Sequence, residues 1–396
     1  MDRILVLNGH GIKVWVDAAR LKIRDGQTGE GTPHEWTFRP KRIGIDNLVI
    51  YGRSGSFTLD AARWLIKHGT QVTLLDWNGK LLTTMLPPGS VAVQTKFCQY
   101  KASEDDSQRL FLAKKFIEAK FCRTTDMLSW LKERYPQVEE NLPTEAKGLQ
   151  AARNAPEILR VEAVAAQHYW SQIAKILPEK AGFMSRGYRR KPWGSGDPTN
   201  TLLNYLYSIL EAEVLRAINT AGLDPHVGFL HKTAPGKNSL AYDLQEPFRF
   251  LTDLAVLALT EQGTMQPKDF IRTETYTLKL RPSGAKKAIR EFNRQLGKKT
   301  TYKGKTCSWK ALILNKTTEL AHHLNGKRKT LDLTKPRPVL DRQDTEAIRK
   351  KILAISYSEW EKRGYSRGSL HYMKKNAEGN ESFSLNTHIL KRLASF

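Results

Sequence analysis

Residues 222–249 read GLDPHVGFLHKTAPGKNSLAYDLQEPFR and place His231, Asp243 and Glu246 among residues typical of a protein core. His231 directly follows an apolar run, and Asp243 and Glu246 lie three residues apart. Residues at that spacing share one face of a helix, where two like charges repel each other. A cation beside them relieves the repulsion, either Arg249, three residues further on, or a divalent ion bound by the carboxylate oxygens. The stretch therefore predicts buried helix around a candidate metal site.

A third candidate carboxylate is Glu162, in residues 149–176. The apolar residues of this segment recur at helical spacing, and Glu162 falls within the apolar stripe that they form. A carboxylate at such a position is costly unless it is paired or binds a metal. A buried ion pair with an arginine such as Arg153 is one interpretation of Glu162, and a hydrogen-bonded core histidine is the ordinary interpretation of His231. Because separate segments each place a metal-capable group in apolar surroundings, we favour one shared site. Carboxylates with an imidazole are suited to Mg²⁺ or Mn²⁺ rather than to structural zinc.

The overall charge of the chain is strongly positive. The chain has 396 residues and carries 64 Lys and Arg against 40 Asp and Glu, a formal charge of +24. Its length and its hydrophobic fraction of 40% predict two or three domains with real cores. A surface this basic attracts polyanions, either nucleic acid or an acidic membrane. Because we find no apolar run of spanning length and no secretory signal pattern, we expect nucleic acid as the partner, no membrane, and a cytoplasmic location.

The positive charge is concentrated in residues 279–342, which contain 18 Lys and Arg against four acidic residues. Solvated surface charge is the ordinary interpretation of such a run. Because the charge has one sign and is interleaved with Tyr302, Trp309 and His322, we favour a phosphate-binding surface. The candidate contacts are Lys298, Lys299, Lys327, Arg328 and Lys329.

Periodicity and breakers predict an α+β chain of several domains. Residues 1–88 have short alternating apolar runs separated by glycines, with one helix at 58–68, and predict an N-terminal β-rich domain. Residues 91–335 follow the helical period and predict a larger all-α domain that contains most of the basic segment. The helices predicted within it are 111–122, 126–134, 149–176 and 200–221. The linker Lys335-Pro336-Arg337-Pro338 then precedes a small C-terminal unit, 341–396.

The C-terminal unit has the pattern of a helix-turn-helix. A helix is predicted at 345–355, a capping box at Ser358 opens a second, and Gly364 forms the turn before a third helix capped by Ser366. Any three-helix tail gives a similar pattern, but the basic charge of the chain favours DNA recognition. The residues on the candidate recognition helix are Arg367, Ser369, His371, Tyr372 and Lys374.

The three cysteines, Cys98, Cys122 and Cys307, are odd in number and widely spaced. This spacing excludes a disulfide framework and a CxxC zinc site. We expect all three to be buried thiols with no reactive role.

Four segments together resemble a known family. LRVEAVAAQHYW, DPTNTLLNYLYSILE, GLDPHVGFLH and NSLAYDLQEPFR follow one another in the order and spacing of the integrases that insert new spacers into CRISPR arrays. The resemblance runs from the β-rich region to about Leu333, and it implies a dimerising N-terminal β domain and a helical catalytic domain. It places the catalytic, metal-binding residues of the family on Glu162, His231 and Glu246, with Asp243 as a further acidic position. Arg249, Asn200, Asn204 and Tyr207 fall on motif positions without an assigned task.

The chain departs from this family in its C-terminal unit, 341–396. The spacer integrases typically end near the position of Pro336–Pro338, whereas this chain continues. The longer arrangement resembles casposases, the transposon-encoded relatives that join the 3′-hydroxyl ends of a mobile element, marked by terminal inverted repeats, to a target duplex. The resemblance implies a divalent-metal-dependent DNA integrase or endonuclease that uses Mg²⁺ or Mn²⁺. It also implies double-stranded DNA, both element ends and target, as partner, and a homodimer or higher oligomer on DNA.

Three other functions stay open at this point. The first is a CRISPR spacer-acquisition integrase or endonuclease with an added helix-turn-helix tail. The second is a DNA-binding relative without catalysis, against which the presence of Glu162, His231 and Glu246 argues. The third is a metal-independent recombinase that uses Tyr205 or Tyr207 as nucleophile.

Overall fold

The protein divides into two compact units, Met1–Pro338 and Val339–Phe396, which are described separately. The computed structural model describes residues 4–28, 32–52, 54–76, 79–87, 92–178, 181–186, 196–261, 263–274, 277–338, 340, 345–378 and 393. The α+β architecture predicted from the sequence is confirmed, with a β-rich N-terminal part and a helix-rich remainder. The prediction that residues 91–335 are all-α was wrong in detail, because two short two-stranded sheets lie among their helices.

The N-terminal part consists of short strands and one helix. They are β1 Ile4–Gly9, β2 Ile12–Asp17, β3 Arg20–Arg24, β4 Glu35–Phe38, β5 Asn47–Gly52, β6 Gly55–Phe57, α1 Leu59–Lys67, β7 Gln71–Leu75 and β8 Leu81–Met85. One described sheet has the order β1-β5-β7-β8 and the other the order β4-β3-β2-β6. Strands β1, β5 and β7 are parallel, whereas β8 pairs antiparallel with β7. Thr58 is the N-cap of α1, as expected, because its hydroxyl accepts from the backbone N–H of Ala61.

The helical part of the first unit follows directly. Its elements are α2 Val93–Glu104, α3 Asp106–Arg134, α4 Ala155–Ile176, α5 Pro198–Ala221, α6 Ser239–Gln245, α7 Arg249–Glu261, β9 Phe270–Arg272, β10 Leu278–Leu280, α8 Pro282–Gly297, β11 Lys299–Tyr302, β12 Lys305–Ser308 and α9 Trp309–Leu324. Helix α5 is buried on most sides and is capped by Asp197, whose carboxylate accepts from the N–H of Asn200. The apolar character of this segment in the sequence therefore reflects a central position.

Two predicted helix boundaries were wrong. The segments 111–122 and 126–134 are parts of one continuous helix, α3, because the residues between them contain no helix breaker. Helix α4 begins at Ala155 rather than near 149, since the Asn154 side chain caps it. The residues just before it, Thr144–Leu149, form a 3-10 helix.

Buried polar contacts tie the β-rich part to the helical part. Asn47 on β5 donates its amide to Glu213 on α5 at 3.2 Å, and Lys310 on α9 lies 3.2 Å from the same Glu213 carboxylate. The amide of Gln71 on β7 donates to the carbonyl oxygen of Ala212 at 3.1 Å. These contacts place the sheet β1-β5-β7-β8 against α5, which also contributes to the site described below.

The segment after α9 is fixed against α3. The Arg123 guanidinium donates to the carbonyl oxygens of Thr334 and Pro336, both at 2.7 Å, and pairs with Asp126 at 3.3 Å. Arg123 also lies over the rings of Phe250 and Trp309, 5.8 Å from each centroid. The chain therefore leaves the first unit from a defined position one helical turn from Lys120 on α3.

The second unit contains three described helices, α10 Thr345–Ala354, α11 Tyr357–Lys362 and α12 Arg367–Glu378. Its core contains Ile352, Ile355, Trp360, Leu370, Met373, Ala377 and Leu393. Helix α11 is capped by Ser356 rather than by Ser358, because the Ser356 hydroxyl accepts from the N–H of Glu359 at 3.2 Å. Gly364 has φ +78° between α11 and α12, which is the turn that the sequence predicted. The assignment of these helices as a helix-turn-helix stays a prediction.

Two smaller expectations concern cysteines and membranes. Cys98, Cys122 and Cys307 are free but only partly buried, so the prediction of fully buried thiols was wrong. Among the helices that the structure describes, we find none long and apolar enough to cross a lipid bilayer.

Candidate active site

Helices α3, α4 and α7 surround a cleft of about 230 Å³ in the first unit. A short 3-10 turn, Glu246–Phe248, joins α6 to α7 and points its first residue into the cleft. Buried apolar side chains before and after this turn, Leu244 and Phe250 among them, hold it in the core. The polar and aromatic residues lining the cleft include Lys120, Glu162, Tyr169, Trp170, Arg186, Tyr207, Glu246, Arg249 and Asp253.

The cleft brings Glu162 and Glu246 together on one lysine. The Lys120 ammonium contacts Glu162 Oε1 and lies 2.7 Å from Glu246 Oε2, while Arg249 Nη2 lies 3.1 Å from Glu246 Oε1. Glu246 is only 4% exposed, and its burial raises the pKa, but Arg249, Lys120 and His231 together outweigh burial, so the pKa of Glu246 lies below its usual range. The Glu246 carboxylate is therefore charged at neutral pH. Glu162 forms an ion pair with Lys120. The interpretation of Glu162 as the partner of an arginine such as Arg153 was therefore wrong about the partner.

His231 is oriented by Asp243. Asp243 Oδ1 lies 2.7 Å from His231 Nδ1 and accepts from the His231 backbone N–H at 3.0 Å. Its other oxygen accepts from the backbone N–H groups of Phe229 and Leu230 at 2.6 and 3.0 Å. A carboxylate that accepts at Nδ1 keeps the proton there and leaves the lone pair on Nε2 free to bind a cation.

Asp243 therefore has both oxygens engaged with the loop 229–231, and we assign it an orienting function. The loop approaches α6 so closely that only glycine fits at 228. A Cβ there would lie 2.8 Å from the Ser239 carbonyl carbon and 2.9 Å from Asp243 Oδ2. The sequence showed the acidic residue and the glycine, but their contact depends on the fold of residues 222–243.

The donor set fits a hard cation. Glu246 Oε2 is buried and accepts no well-aligned hydrogen bond, although Lys120 Nζ is close to it. Two carboxylates and a free imidazole nitrogen match the ligands that Mg²⁺ or Mn²⁺ takes. Within the described ranges, no group of three or more His, Cys, Asp or Glu side chains is already arranged as a metal cage. The Lys120 ammonium lies between the two carboxylates, where a bound cation would contact both of them.

An aromatic and arginine network supports the far side of the cleft. The Tyr207 ring lies between the guanidinium groups of Arg186 and Arg249, at 5.3 and 4.9 Å from its centroid. The Tyr207 hydroxyl donates to Asp253 at 2.7 Å, and the Tyr169 hydroxyl donates to the same carboxyl at 3.1 Å. Asp253 thus fixes the ring on which Arg249, the partner of Glu246, is stacked.

The two tyrosines proposed as nucleophiles are poorly suited to that role. Tyr205 is 2% exposed and packs against Tyr51, with ring centroids 5.3 Å apart. The Tyr207 hydroxyl is engaged with Asp253. Burial raises the pKa of both hydroxyls well above 10, which disfavours the phenolate that would attack DNA.

Sequence reasoning missed Lys120, Arg186, Tyr169 and Asp253. Asp253 gave a signal, because it interrupts the apolar run 250–259. Lys120 gave none, since a lysine on an amphipathic helix is ordinary. Asn200 and Asn204, which the motif singled out, accept from the Arg186 guanidinium at 2.5 and 2.9 Å.

The buried Asp253 carboxyl predicts a pH effect on stability. Burial raises its pKa from 3.8 to about 6, against the opposing effects of Tyr207, Tyr169, Arg186 and Arg249. Because the folded state then binds the proton more tightly than the unfolded chain, this group stabilises the fold at low pH, and that contribution is lost as pH rises through about 6. Relative to Asp253→Asn, the free energy of unfolding of the wild type should fall by about 1 kcal/mol between about pH 5 and pH 7.5. Urea denaturation of both proteins measures this, and parallel pH curves would contradict it.

The predicted DNA contacts of the basic segment lie outside the cleft. Lys299, Lys327 and Lys329 are exposed and Lys298 is partly exposed. Arg328 instead pairs with Glu319 at 2.8 Å and donates to the Thr330 carbonyl oxygen at 2.7 Å. The exposed lysines are therefore available to a ligand, whereas Arg328 is committed to the local structure.

In the second unit, the candidate recognition residues fall into two groups. Arg367 and Lys374 lie over the Tyr357 ring at 5.2 and 5.1 Å, and His371 lies 3.4 Å from its hydroxyl. The Ser369 hydroxyl accepts from Trp360 and donates to the Ser366 carbonyl oxygen, so it holds the turn. Tyr372 is 67% exposed and free to reach outward.

Comparisons with known proteins show the family. The family model of CRISPR associated protein Cas1 matches residues 5–294. The chain is 31% identical over 305 residues to CRISPR-associated endonuclease Cas1 1 of Archaeoglobus fulgidus, covering 72% of this chain and 88% of that protein. It is 27% identical over 330 residues to the protein of the same description from Francisella tularensis subsp. novicida, covering 82% and 96%. The chain belongs to the Cas1 family.

Comparison with solved structures shows a more specific similarity, to a casposase. A casposase bound to integration product is 53% identical, with a TM-score of 0.85 over 90% of this chain and 99% of that one. A CAS1 protein from Thermotoga maritima shares the fold at 21% identity, with a TM-score of 0.68 over 82% and 97% of the two chains. The resemblance to casposases is therefore confirmed, and with it the predicted class of enzyme, a DNA integrase or endonuclease.

Proposed function

We propose that this enzyme joins the 3′-hydroxyl ends of a mobile element to target duplex DNA by transesterification, in a reaction that depends on a divalent ion. The 3′-oxygen of the element would form a bond to a target phosphorus while the bond from that phosphorus to the target 3′-oxygen breaks, so that the leaving group is a target 3′-hydroxyl. The proposal is supported by the convergence of Glu162 and Glu246 on Lys120, and by His231, which Asp243 holds and which lies close enough to Glu246 to lower its pKa. This convergence occurs in a chain 53% identical to a casposase bound to integration product. Residues far apart in the sequence would thus supply the functional groups that DNA joining needs.

Glu162, Glu246 and Nε2 of His231 would hold Mg²⁺ or Mn²⁺. When bound, such an ion polarises a phosphate oxygen and lowers the pKa of a hydroxyl group, here the 3′-hydroxyl of the element end. Asp243 keeps the His231 proton on Nδ1, so that Nε2 stays a ligand. Arg249 holds Glu246 Oε1, while Glu246 Oε2 contacts Lys120, which also contacts Glu162.

Positive groups around the cleft would position the DNA. Arg186 and Arg249 line the cleft and can neutralise phosphate charge near the reacting atoms. The exposed Lys299, Lys327 and Lys329 and the partly exposed Lys298 would extend this contact along the DNA backbone, with an affinity that falls steeply with salt. Because two element ends are inserted together, we propose at least a dimer, with the β-rich domain as its surface.

The test of this function is strand joining of labelled element-end oligonucleotides to a plasmid. We expect joining with Mg²⁺ or Mn²⁺, a loss of at least about 10³-fold with a chelator, and recovery when Mn²⁺ is added in excess. An element end blocked at its 3′-hydroxyl serves as the control and should not be joined. Joining that persists in the chelator would contradict the metal-dependent mechanism.

The Cas1 relatives support a second candidate, a CRISPR spacer integrase with an added tail, because the family match ends at 294 and does not require the second unit. Deleting residues 339–396 separates the two. If the tail binds element ends or target, deletion should lower joining of element ends by at least about tenfold while the cleft stays intact. Thermal unfolding of residues 1–338 serves as the folding control. Undiminished joining would favour the spacer integrase.

A further inference from the structure

Lys120 has a position that DNA joining does not by itself explain. Its ammonium contacts Glu162 Oε1 and lies 2.7 Å from Glu246 Oε2, and these are the oxygens that face each other across the cleft. The neighbouring residues Phe116, Ile117 and Ala119 are buried, so the backbone of α3 at this point is fixed. The lysine is thus built into the centre of the proposed metal site.

We propose that Lys120 is an internal counter-ion that competes with the divalent cation for Glu162 and Glu246. This inference rests on the proposed metal site and adds a residue that sets its affinity. Before the ion binds, Lys120 holds the two carboxylates close together. When the ion binds, the ammonium moves away from the oxygens that it held.

The electrostatics of the pair favour this role. Two carboxylates that face each other in a cleft repel, and the repulsion is stronger where water is largely excluded. One positive charge between them relieves the repulsion, and a divalent ion relieves more of it at the same oxygens. Both cations cannot contact the same pair of oxygens fully, so each weakens the binding of the other.

The difference between Lys120 and Arg249 shows why the lysine is the group that moves. Arg249 is stacked on Tyr207 and binds Glu246 Oε1, so it can stay in place when Oε2 changes partner. Lys120 has a flexible side chain that is 18% exposed, and no ring in the described part of the chain is stacked with its ammonium. Its ammonium can therefore turn toward solvent or a DNA phosphate without unpacking α3.

Mn²⁺ titration without DNA tests the competition, using the electron paramagnetic resonance signal of the free ion. Lys120→Met keeps the apolar part of the side chain and removes the charge, so its Mn²⁺ dissociation constant should fall at least about tenfold below that of the wild type. Lys115→Met is the matched control, because Lys115 lies on the same helix and pairs with Glu118 at the surface. Its dissociation constant should equal that of the wild type.

Thermal unfolding with and without Mn²⁺ distinguishes the proposed competition from a merely structural lysine. Without metal, Lys120→Met should unfold at a lower temperature than the wild type, and Mn²⁺ should raise its unfolding temperature by more than it raises that of the wild type. If Lys120 formed only a structural salt bridge, Lys120→Met would lower the unfolding temperature by the same amount with and without Mn²⁺. Equal or weaker Mn²⁺ binding by Lys120→Met would overturn the competition and leave the metal site intact. Absence of Mn²⁺ binding in both proteins would overturn the site and the inference together.

A measurement on the wild type covers the case in which Lys120→Met does not fold. Acetic anhydride labels accessible lysines, and mass spectrometry reads each position. Mn²⁺ should increase labelling of Lys120 by at least about threefold, because the ammonium is released from Glu162 and Glu246. Labelling of Lys115 should not change. Unchanged or decreased labelling of Lys120 at saturating Mn²⁺ would overturn the proposal.

Discussion

Glu246→Gln is expected to lower the rate of strand joining by about 10³-fold or more, while binding of element-end DNA stays within about threefold of the wild type. Glutamine keeps the shape of the side chain but removes the charge that Lys120 and Arg249 face. It therefore removes the buried anion around which the proposed site is built. Gel-based joining assays and fluorescence anisotropy on the same oligonucleotides measure the two quantities.

Glu118→Gln provides the matched control, because Glu118 is a partly exposed glutamate on α3 that pairs with Lys115 at 2.8 Å. Its joining rate should stay within about twofold of the wild type, since exposed ion pairs contribute little. A joining rate near that of the wild type for Glu246→Gln would refute the assignment of this carboxylate. A loss of DNA binding in parallel with joining would point to misfolding, which thermal unfolding can detect.

Asp243→Asn is expected to lower joining by about 10- to 100-fold through His231. Asparagine has one acceptor oxygen where Asp243 uses two, so it cannot satisfy the backbone of Phe229 and Leu230 and also hold the Nδ1 proton of His231. Because a buried charged acceptor is lost, stability should fall by about 2–3 kcal/mol. Joining assays together with urea denaturation measure both effects.

Mn²⁺ affinity distinguishes an orienting Asp243 from a purely structural one. The affinity should fall about 10- to 100-fold in folded Asp243→Asn, because the wrong histidine tautomer places a proton on Nε2. Asp60→Asn, at the exposed start of α1, should change neither affinity nor joining. A variant that loses stability but keeps Mn²⁺ affinity and joining would show that Asp243 serves only the fold.

The sequence predicted those parts of the fold that are local. The glycine-separated strands, the Thr58 cap and the apolar helix α5 follow from patterns within a few residues. The prediction of two helices where α3 is continuous was wrong, because Arg123, at the predicted break, is buried and contacts Thr334 and Pro336. Those partners lie about 200 residues away, beyond any local pattern.

The candidate site also contains residues that the sequence predicted and residues that it did not. Glu162, His231 and Glu246 were identifiable because each is a costly group in an apolar pattern, and the family resemblance supported them. The sequence contains no comparable indication for Lys120, Tyr169 and Arg186. These side chains line one cleft only when the folded chain brings α3, α4 and the residues before α5 together. Asp243 looked like a ligand by spacing, yet its oxygens face the loop 229–231.

We propose that Glu162, His231 and Glu246 jointly bind one divalent ion beside a DNA end. Anomalous diffraction from crystals of the protein grown with Mn²⁺ and an element-end duplex tests this joint binding. We expect an Mn²⁺ peak bonded to both carboxylates and to Nε2 of His231, with the 3′-oxygen of the duplex next to it. A peak away from these three residues, or saturating Mn²⁺ that gives no peak in the cleft, would refute the joint binding of the ion by Glu162, His231 and Glu246.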